Sequence, residues 1–242
     1  MIAEMKPRAI RLPPALWIQH QLAMPVLSHS VVVRRKIANI AEISDYLDWQ
    51  LTTFGTIDLS RTKSALWKKM SARMRASGEE WHGMEFGVAY GHASHWWLSH
   101  HEPTVIATWD GFDRFTGLPR SWRALPAGMF DADGRPPVLD DDRVDWHIGD
   151  VEKTIGRVGT GRITPGRRLV YFDLDVYEPS KVVWDWVRPY LQPGDILYFD
   201  EAFDADERRL LNESVIPAGT FDYIGATDMS LAIEVRAMNR HL

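Results

Sequence analysis

The sequence predicts an α/β fold in which helices cover both faces of a mostly parallel sheet. Two observations predict it. After Gly78, short apolar runs of strand length alternate with stretches of helical periodicity. Polar and acidic residues follow the ends of five of these runs. Because crossovers between parallel strands are right-handed, repeated strand–helix units build a doubly wound, Rossmann-like sheet. We expect seven strands, the last of them antiparallel, behind an N-terminal helical cap.

Residues 1–78 are predicted to form an N-terminal arm and the helical cap, and residues 79–242 the main domain. The first 35 residues contain four prolines and no regular apolar period, which is typical of an extended arm or loop. Apolar residues at helical spacing predict one helix from Ile37 to Leu51. Ser60 can cap a second helix, which Gly78 ends and whose Lys and Arg side chains face solvent.

The main domain is predicted to alternate strands with helices in chain order. The predicted strands are Met84–Val88, Thr104–Trp109, Val144–Ile148, Leu169–Leu174, Ile196–Phe199, Phe221–Gly225 and Leu231–Val235. The predicted helices are Ala93–His101, Glu152–Val158, Lys181–Val187 and Asp206–Ser214. The Gly- and Pro-rich segment 114–142 is a long loop, and such loops carry specificity on a rigid scaffold.

Composition and charge exclude several classes of protein. Hydrophobic residues make up 45% and charged residues 25%, as in globular domains, and no apolar run is long enough to span a membrane. Residues 1–75 carry 12 Lys and Arg against 5 Asp and Glu, whereas residues 76–242 carry 16 against 28. The acidic main domain makes nucleic acid an unfavourable partner. The absence of cysteine and of a leader-like start favours a cytoplasmic protein.

The residues that follow the strands are the candidate site, because ligands of doubly wound folds bind beyond the carboxyl ends of the strands. These residues are Gly87 to Gly91, Asp110 and Asp113, Gly149 and Asp150, Asp173 and Asp175, and Asp200 and Glu201. Helix capping explains acids at some such positions, but five strand ends in register indicate a ligand-binding rim. The glycines allow the backbone to approach a ligand closely. Glu85 is a carboxyl group within an apolar strand, where it requires a partner.

Four segments occur in order between residues 85 and 201. They read Glu-x-Gly-x-x-x-Gly-x-x-Ser at 85–94, Gly-Phe-Asp-Arg-Phe-Thr-Gly-Leu-Pro at 111–119, Asp-Val-Tyr-Glu-Pro-Ser at 175–180 and Pro-Gly-Asp-Ile-Leu-Tyr-Phe-Asp-Glu at 193–201. Together they resemble the motifs of class I S-adenosylmethionine-dependent O-methyltransferases of the macrocin (TylF/MycF-like) family. The final strand pair extends the likeness to about residue 236. The first 75 residues resemble this family only in being a helical cap.

The resemblance implies that the cofactor is S-adenosylmethionine and assigns residues to each of its parts. Glu85, Gly87 and Gly91 would surround the methionine moiety, with Ser94 at the edge of that loop. Asp113 would hold the ribose hydroxyls, and Asp110 is its rival because either residue could end the strand. Asp150 and the adjoining Val151 would meet the adenine, and Asp173 would complete the cofactor site.

The resemblance also implies an acidic triad on the acceptor side. Asp175, Asp200 and Glu201 match the residues that can hold a divalent cation such as Mg²⁺ near the acceptor hydroxyl. The family usually has two aspartates at the last pair, where this sequence has Asp-Glu. Asp175 is the candidate general base or metal ligand. His147 on the third strand is an alternative base, because the pKa of imidazole lies near neutral.

The leading functional hypothesis is therefore methyl transfer to a hydroxyl of a small molecule, such as a sugar in natural product biosynthesis. Two other hypotheses remain open. One is a nucleotide-dependent oxidoreductase on the same architecture, which the Gly-x-x-x-Gly spacing and the last strand pair disfavour. The other is a non-catalytic methyltransferase-like module that docks on an acidic partner through its basic N-terminal part. A homo-oligomer is expected because such assemblies are common for this architecture.

Overall fold

The computed structural model describes residues 30–158 and 166–239. The predicted arm therefore lies outside the described residues as far as residue 29. The chain divides into two compact units, Met1–Ser44 and Asp45–Leu242. The division of the chain into a cap at 1–78 and a domain at 79–242 stays a prediction.

Six α-helices lie within the described ranges. They are α1 (Val31–Phe54), α2 (Lys63–Ser77), α3 (His92–His100), α4 (Val151–Thr154), α5 (Tyr177–Val187) and α6 (Ala205–Leu210). Helices α4 to α6 continue into short 3₁₀ or π turns. No described helix has the length and apolar character needed to cross a membrane.

Helix α2 begins later than predicted, and Ser60 is not its N-cap. The N-cap is Thr62, whose side chain accepts a hydrogen bond from the backbone N–H of Ala65 at 3.1 Å. Ser60 is used differently, because its backbone N–H donates to the carbonyl of Ala226 at 2.7 Å. The predicted end is confirmed: Gly78 has a φ of 66° and its N–H donates to the carbonyl of Arg75.

Within the described ranges the sheet has seven strands, in the order β3-β2-β1-β4-β5-β7-β6. The strands are β1 (Trp81–Phe86), β2 (Ile106–Asp113), β3 (Val144–Ile148), β4 (Arg167–Phe172), β5 (Ile196–Phe199), β6 (Gly219–Ala226) and β7 (Leu231–Met238). Neighbours from β3 to β5 are parallel, whereas β7 is antiparallel to both β5 and β6. The predicted doubly wound, mostly parallel sheet with an antiparallel last strand is confirmed.

Each face of the sheet is covered by an apolar core. On one face Phe86, Phe172 and Phe199 belong to a buried cluster with side chains of α5 and α6. On the other face the core is rich in large aromatic rings, including Trp67 of α2 and Trp97 of α3. Burial on both faces explains why the central strands read as near-continuous apolar runs rather than as alternating ones.

Candidate functional site

A cleft of about 1120 Å³ lies within the second unit at the carboxyl edge of the parallel strands. Residues that follow β1, β2, β3, β4 and β5 all line it. The predicted site residues among them are Glu85, Gly87, Asp113, Asp150, Val151, Asp173, Asp175, Asp200 and Glu201. The other four, Gly91, Ser94, Asp110 and His147, are not among the lining residues that are described. The sheet thus gathers residues that lie more than a hundred positions apart in the chain.

The glycine loop that follows β1 is shaped by backbone conformations that few side chains allow. Gly87 has a φ of 90°, and a Cβ atom there would lie 1.7 Å from the carbonyl oxygen of Asp173. Gly91 has a φ of 75° and caps the N-terminus of α3. The backbone of the loop therefore forms one wall of the cleft, with the start of α3 behind it.

Glu85 is the buried carboxyl of this wall. Its Oε2 accepts hydrogen bonds from the Ser94 hydroxyl and, at 3.0 Å, from the indole N–H of Trp109. Burial raises the pKa of Glu85 from 4.5 to about 8, against the opposing effect of these two donors. Ser94 is fully buried and therefore supports Glu85 from behind rather than lining the cleft.

Glu85→Gln is expected to change how the stability of the protein depends on pH. Since the folded protein holds a proton on Glu85 up to about pH 8, it binds more protons than the unfolded chain above pH 4.5. The stability that the protonated form of Glu85 contributes is therefore fully present below pH 4.5 and is lost as the pH rises to about 8. Glu85→Gln removes this pH-dependent loss of stability, which is on the order of several kcal/mol once the carboxyl group is fully ionised.

Denaturant unfolding at several pH values measures this effect. The difference in the free energy of unfolding between Glu85→Gln and the wild type should grow in favour of the variant from pH 5 to pH 9. The exposed Glu102→Gln is the control and should show no such trend. A constant difference between Glu85→Gln and the wild type over this range would show that Glu85 does not hold its proton in the folded state.

The structure decides which aspartate ends β2. Asp113 is the last residue of the strand and lines the cleft, and its Oδ2 accepts from the N–H groups of Val88 and Ala89 at 2.8 Å each. Asp110 lies within the strand, where its Oδ1 is 2.7 Å from Nε2 of His147. Oδ1 of Asp113 accepts from the N–H of Phe115 at 2.7 Å, so Asp113 is the acid at the end of the strand that lines the cleft.

His147 pairs with Asp110 and lies flat against a phenyl ring. Its ring centroid is 4.4 Å from that of Phe112, at an interplanar angle of 18°. Since His147 is not among the described lining residues, its geometry fits a structural role better than that of a base.

The segment after β3 contributes a mixed polar and apolar surface to the cleft. Asp150 precedes α4, and its carboxylate binds Lys153 Nζ at 2.6 Å and Arg114 Nε at 3.2 Å. The hydrogen bond from Lys153 is the main reason that the pKa of Asp150 lies below its usual value. The adjacent Val151 is buried and lines the same part of the cleft.

Acidic side chains from the ends of β4 and β5 lie on another part of the cleft wall. Carboxylate oxygens of Asp173, Asp175 and Glu201 lie within 4.8 Å of one another. Burial, followed by the charge of Asp200, raises the pKa values of all three carboxyl groups, that of Asp175 to about 7. A carboxyl group with a pKa near neutral can accept a proton at physiological pH. Carboxylate oxygens are also suitable ligands for Mg²⁺.

Asp200 is hydrogen bonded to the side chain of Glu201 and makes further contacts with two tyrosines and a lysine. Its Oδ1 accepts from the hydroxyls of Tyr198 at 2.8 Å and Tyr171 at 3.3 Å. Its Oδ2 forms an ion pair with Lys63 of α2. Among the described residues, Asp173, Asp175 and Glu201 are the carboxylates with the spacing of metal ligands. The set Asp175, Asp200 and Glu201 implied by the motifs stays a prediction.

Lys63 is the main residue that sequence reasoning missed. The sequence places it on the basic, solvent-facing side of α2, but its side chain is only 37% exposed and lines the cleft. Burial lowers the pKa of Lys63, but Asp200, Glu201 and Asp173 outweigh burial and raise it above its usual value. Only its place at the start of a helix, where a cation is unfavourable, could have drawn attention to it.

The loop after β2 supplies an apolar part of the lining. Leu118, Pro119, Trp122 and Phe130 of this loop line the cleft together with Arg120. Arg120 is paired with Glu178 at 3.0 Å. The expectation that this long loop shapes the site agrees with its place in the cleft.

Comparison with known proteins gives structural matches only. No protein-family model matches the chain, and no curated protein matches it. The crystal structure of CalS11, a calicheamicin methyltransferase, matches 96% of this chain and 99% of its own chain, with a TM-score of 0.50 and 19% identity. The structure of the O-methyltransferase NovP covers 71% of this chain and 79% of its own, with a TM-score of 0.49 and 16% identity.

At such identities the likeness to CalS11 establishes the fold. The sheet order, the antiparallel β7 and the cleft at the carboxyl edge agree with the fold that the four motifs predict. The resemblance to the macrocin family stays a prediction. The chain has the Rossmann-like fold of the calicheamicin methyltransferase CalS11.

Proposed function

We propose that the protein transfers the methyl group of S-adenosylmethionine to a hydroxyl group of a small molecule. The observation that carries this proposal is the meeting of two kinds of surface in one cleft. The glycine loop, Asp113 and Asp150 form a surface suited to a nucleoside cofactor. Asp173, Asp175 and Glu201 form an acidic surface suited to proton removal.

The surface suited to the cofactor fits S-adenosylmethionine in shape and in its polar groups. The loop at Gly87 leaves no room for a Cβ atom, so the backbone itself forms the wall. Asp113 has the position from which an acid at the end of the second strand grips ribose hydroxyls. Asp150 and Val151 offer a carboxylate acceptor and an apolar contact to an adenine ring. Glu85 offers a carboxyl group to the cationic end of the cofactor.

S-adenosylmethionine supplies a methyl group on a positively charged sulfur, from which it is readily transferred. The residues of the chain must orient the acceptor hydroxyl in line with the bond between methyl and sulfur. Asp175 accepts the hydroxyl proton as the new carbon–oxygen bond forms and the carbon–sulfur bond breaks. A divalent cation, where the reaction uses one, would be held by Asp173, Asp175 and Glu201 and would lower the pKa of the hydroxyl.

The apolar lining supports a small organic acceptor. Trp122 and Phe130 offer rings on which a sugar or an aromatic ring can lie, beside Leu118 and Pro119. Pockets of this kind bind small molecules through apolar contacts and a few placed polar groups. This lining, together with the acidic charge of the main domain, is why we propose a small molecule rather than a nucleic acid.

An oxidoreductase on this architecture is the second candidate, and the sheet disfavours it. A dinucleotide-binding sheet has the order 3-2-1-4-5-6 and a Gly-x-Gly-x-x-Gly turn. Here an antiparallel β7 lies between β5 and β6, and the turn reads Gly-x-x-x-Gly.

Binding calorimetry followed by turnover tests the proposed function. The purified full chain should bind S-adenosylhomocysteine and should not bind nicotinamide dinucleotides. With S-adenosylmethionine and a panel of sugars, nucleotide sugars and phenols, at least one acceptor should yield S-adenosylhomocysteine and a product heavier by one methylene unit. Binding of a nicotinamide cofactor without binding of S-adenosylhomocysteine would overturn the proposal.

A further inference from the structure

Lys63 contributes a cation to the acidic side of the cleft from an element outside the strand ends. It is the first residue of α2 and lines the cleft. Its Nζ forms an ion pair with Asp200 and lies 3.6 Å from Oε1 of Glu201. The N-terminus of a helix carries partial positive charge and disfavours a cation. The carboxylates therefore hold Lys63 where its own helix does not favour it.

The same contacts disfavour Asp200 as a metal ligand, because three donors already bind its two oxygens. Lys63 occupies its Oδ2, and the hydroxyls of Tyr198 and Tyr171 occupy its Oδ1. A divalent cation that recruited Asp200 would have to displace an ammonium group from a partly buried ion pair. The triad implied by the motifs thus lacks Asp200, and a divalent cation in the cleft would have only Asp173, Asp175 and Glu201 as its carboxylate ligands, with the ammonium group of Lys63 3.6 Å from Oε1 of Glu201.

We propose that the ammonium group of Lys63 replaces the divalent cation implied by the motifs, so that it orients the acceptor hydroxyl and methyl transfer needs no added metal. The inference rests on the proposed function, since it concerns the acceptor side of the same site. Lys63 Nζ lies 3.6 Å from Oε1 of Glu201, and carboxylate oxygens of Glu201 and Asp175 lie within 4.8 Å of each other, so the donor is near the proton acceptor.

The chemistry of an ammonium group suits this role. It has three N–H donors, and its ion pair with Asp200 uses one of them. A further donor can bind the acceptor oxygen, whose negative charge grows as its proton passes to Asp175. A fixed cation beside an oxygen that gains negative charge stabilises the transition state. The oxygen then bonds to the methyl carbon while the sulfur keeps the electron pair of the broken bond.

Three variants test the proposal. Lys63→Met removes the charge and keeps much of the length, and Lys63→Arg keeps the charge. Lys68→Met is the control, because it replaces an exposed lysine of the same helix by the same residue as Lys63→Met. Each protein is measured for binding of S-adenosylhomocysteine and of Mn²⁺ by calorimetry, and for turnover in EDTA and in millimolar Mg²⁺ or Mn²⁺.

The wild type and Lys68→Met should turn over equally well in EDTA and in Mg²⁺. Lys63→Met should lose about a hundredfold in kcat in EDTA, the size of effect seen when one preorganised donor is removed. It should bind Mn²⁺ at least about tenfold more tightly than the wild type, because Asp200 is released and one positive charge is lost. Added metal should restore part of its turnover, and Lys63→Arg should retain more turnover in EDTA than Lys63→Met. Binding of S-adenosylhomocysteine should stay within a few-fold in all four proteins.

Loss of wild-type turnover in EDTA would overturn the proposal, as would equal Mn²⁺ affinity in Lys63→Met and the wild type. The proposed function has a separate point of failure. If the wild type binds no S-adenosylhomocysteine, methyl transfer is refuted, whereas the Mn²⁺ titrations still report on Lys63.

Discussion

Asp175→Asn is expected to lower kcat for methyl transfer by about 10²–10⁴-fold, the usual contribution of a general base. The affinity for S-adenosylhomocysteine should stay within a few-fold of wild type, because the surface proposed for the cofactor lies after β1, β2 and β3, whereas Asp175 follows β4. Asn has nearly the same shape as Asp but does not accept a proton at neutral pH. Single-turnover kinetics and calorimetry separate the two quantities.

The backbone at Asp175 makes this substitution a clean one. Asp175 has a φ of 61°, in the left-handed region that Asn and Asp tolerate better than other non-glycine residues. Asp133 has a φ of 57°, is exposed and is not among the described lining residues. Asp133→Asn is therefore the matched control and should have wild-type activity. Full activity in Asp175→Asn would remove Asp175 as the base. An Asp175→Asn variant that is inactive beside an active wild type, yet still binds S-adenosylhomocysteine, would exclude the hypothesis of a non-catalytic binding module.

Gly87→Ala is the second substitution with a large expected effect. The Cβ atom of the alanine would lie 1.7 Å from the carbonyl oxygen of Asp173. Because this clash is with a backbone atom, rotation of a side chain cannot relieve it. The φ of 90° adds conformational strain for any L-residue. We expect the free energy of unfolding to fall by at least about 2 kcal/mol, together with a loss of cofactor affinity, because β1 and β4 must separate at the cleft.

Gly156→Ala is the control for this substitution. Gly156 lies in the 3₁₀ turn after α4, and a Cβ atom there would meet nothing within 4 Å. Chemical denaturation and binding of S-adenosylhomocysteine should be near wild type in Gly156→Ala. Wild-type stability and affinity in Gly87→Ala would show that the glycine loop is not the rigid wall of the cleft.

The residue pattern was sufficient to predict the sheet, and the reason is local. Central strands buried on both faces must be apolar runs, and β5 occurs at the residues that its run predicts. Boundaries were less predictable, because a run does not show where pairing with the neighbours stops. The predicted first strand extended to Val88, whereas β1 pairs only as far as Phe86. This difference places Val88 in the loop, where its backbone donates to Asp113.

The candidate site was predicted in part. Residues directly after the strands could be found because parallel strands end at one edge. The choice between Asp110 and Asp113 could not be made, because β2 runs four residues beyond the predicted end at Trp109. The pairing of His147 with Asp110 depends on the register between β2 and β3, which sequence periodicity does not contain.

The sequence by itself determined the class of fold, the edge of the sheet that carries the site and most of the acids that line it. These properties follow from strand-length apolar runs and from what succeeds each run in the chain. The tertiary structure alone decided which acids lie together. Lys63 and Asp200 are 137 residues apart, and only the docking of α2 on the sheet brings the ammonium group to the carboxylate. Side chains interact over a few ångströms, so contacts between distant segments become visible only once the chain is folded.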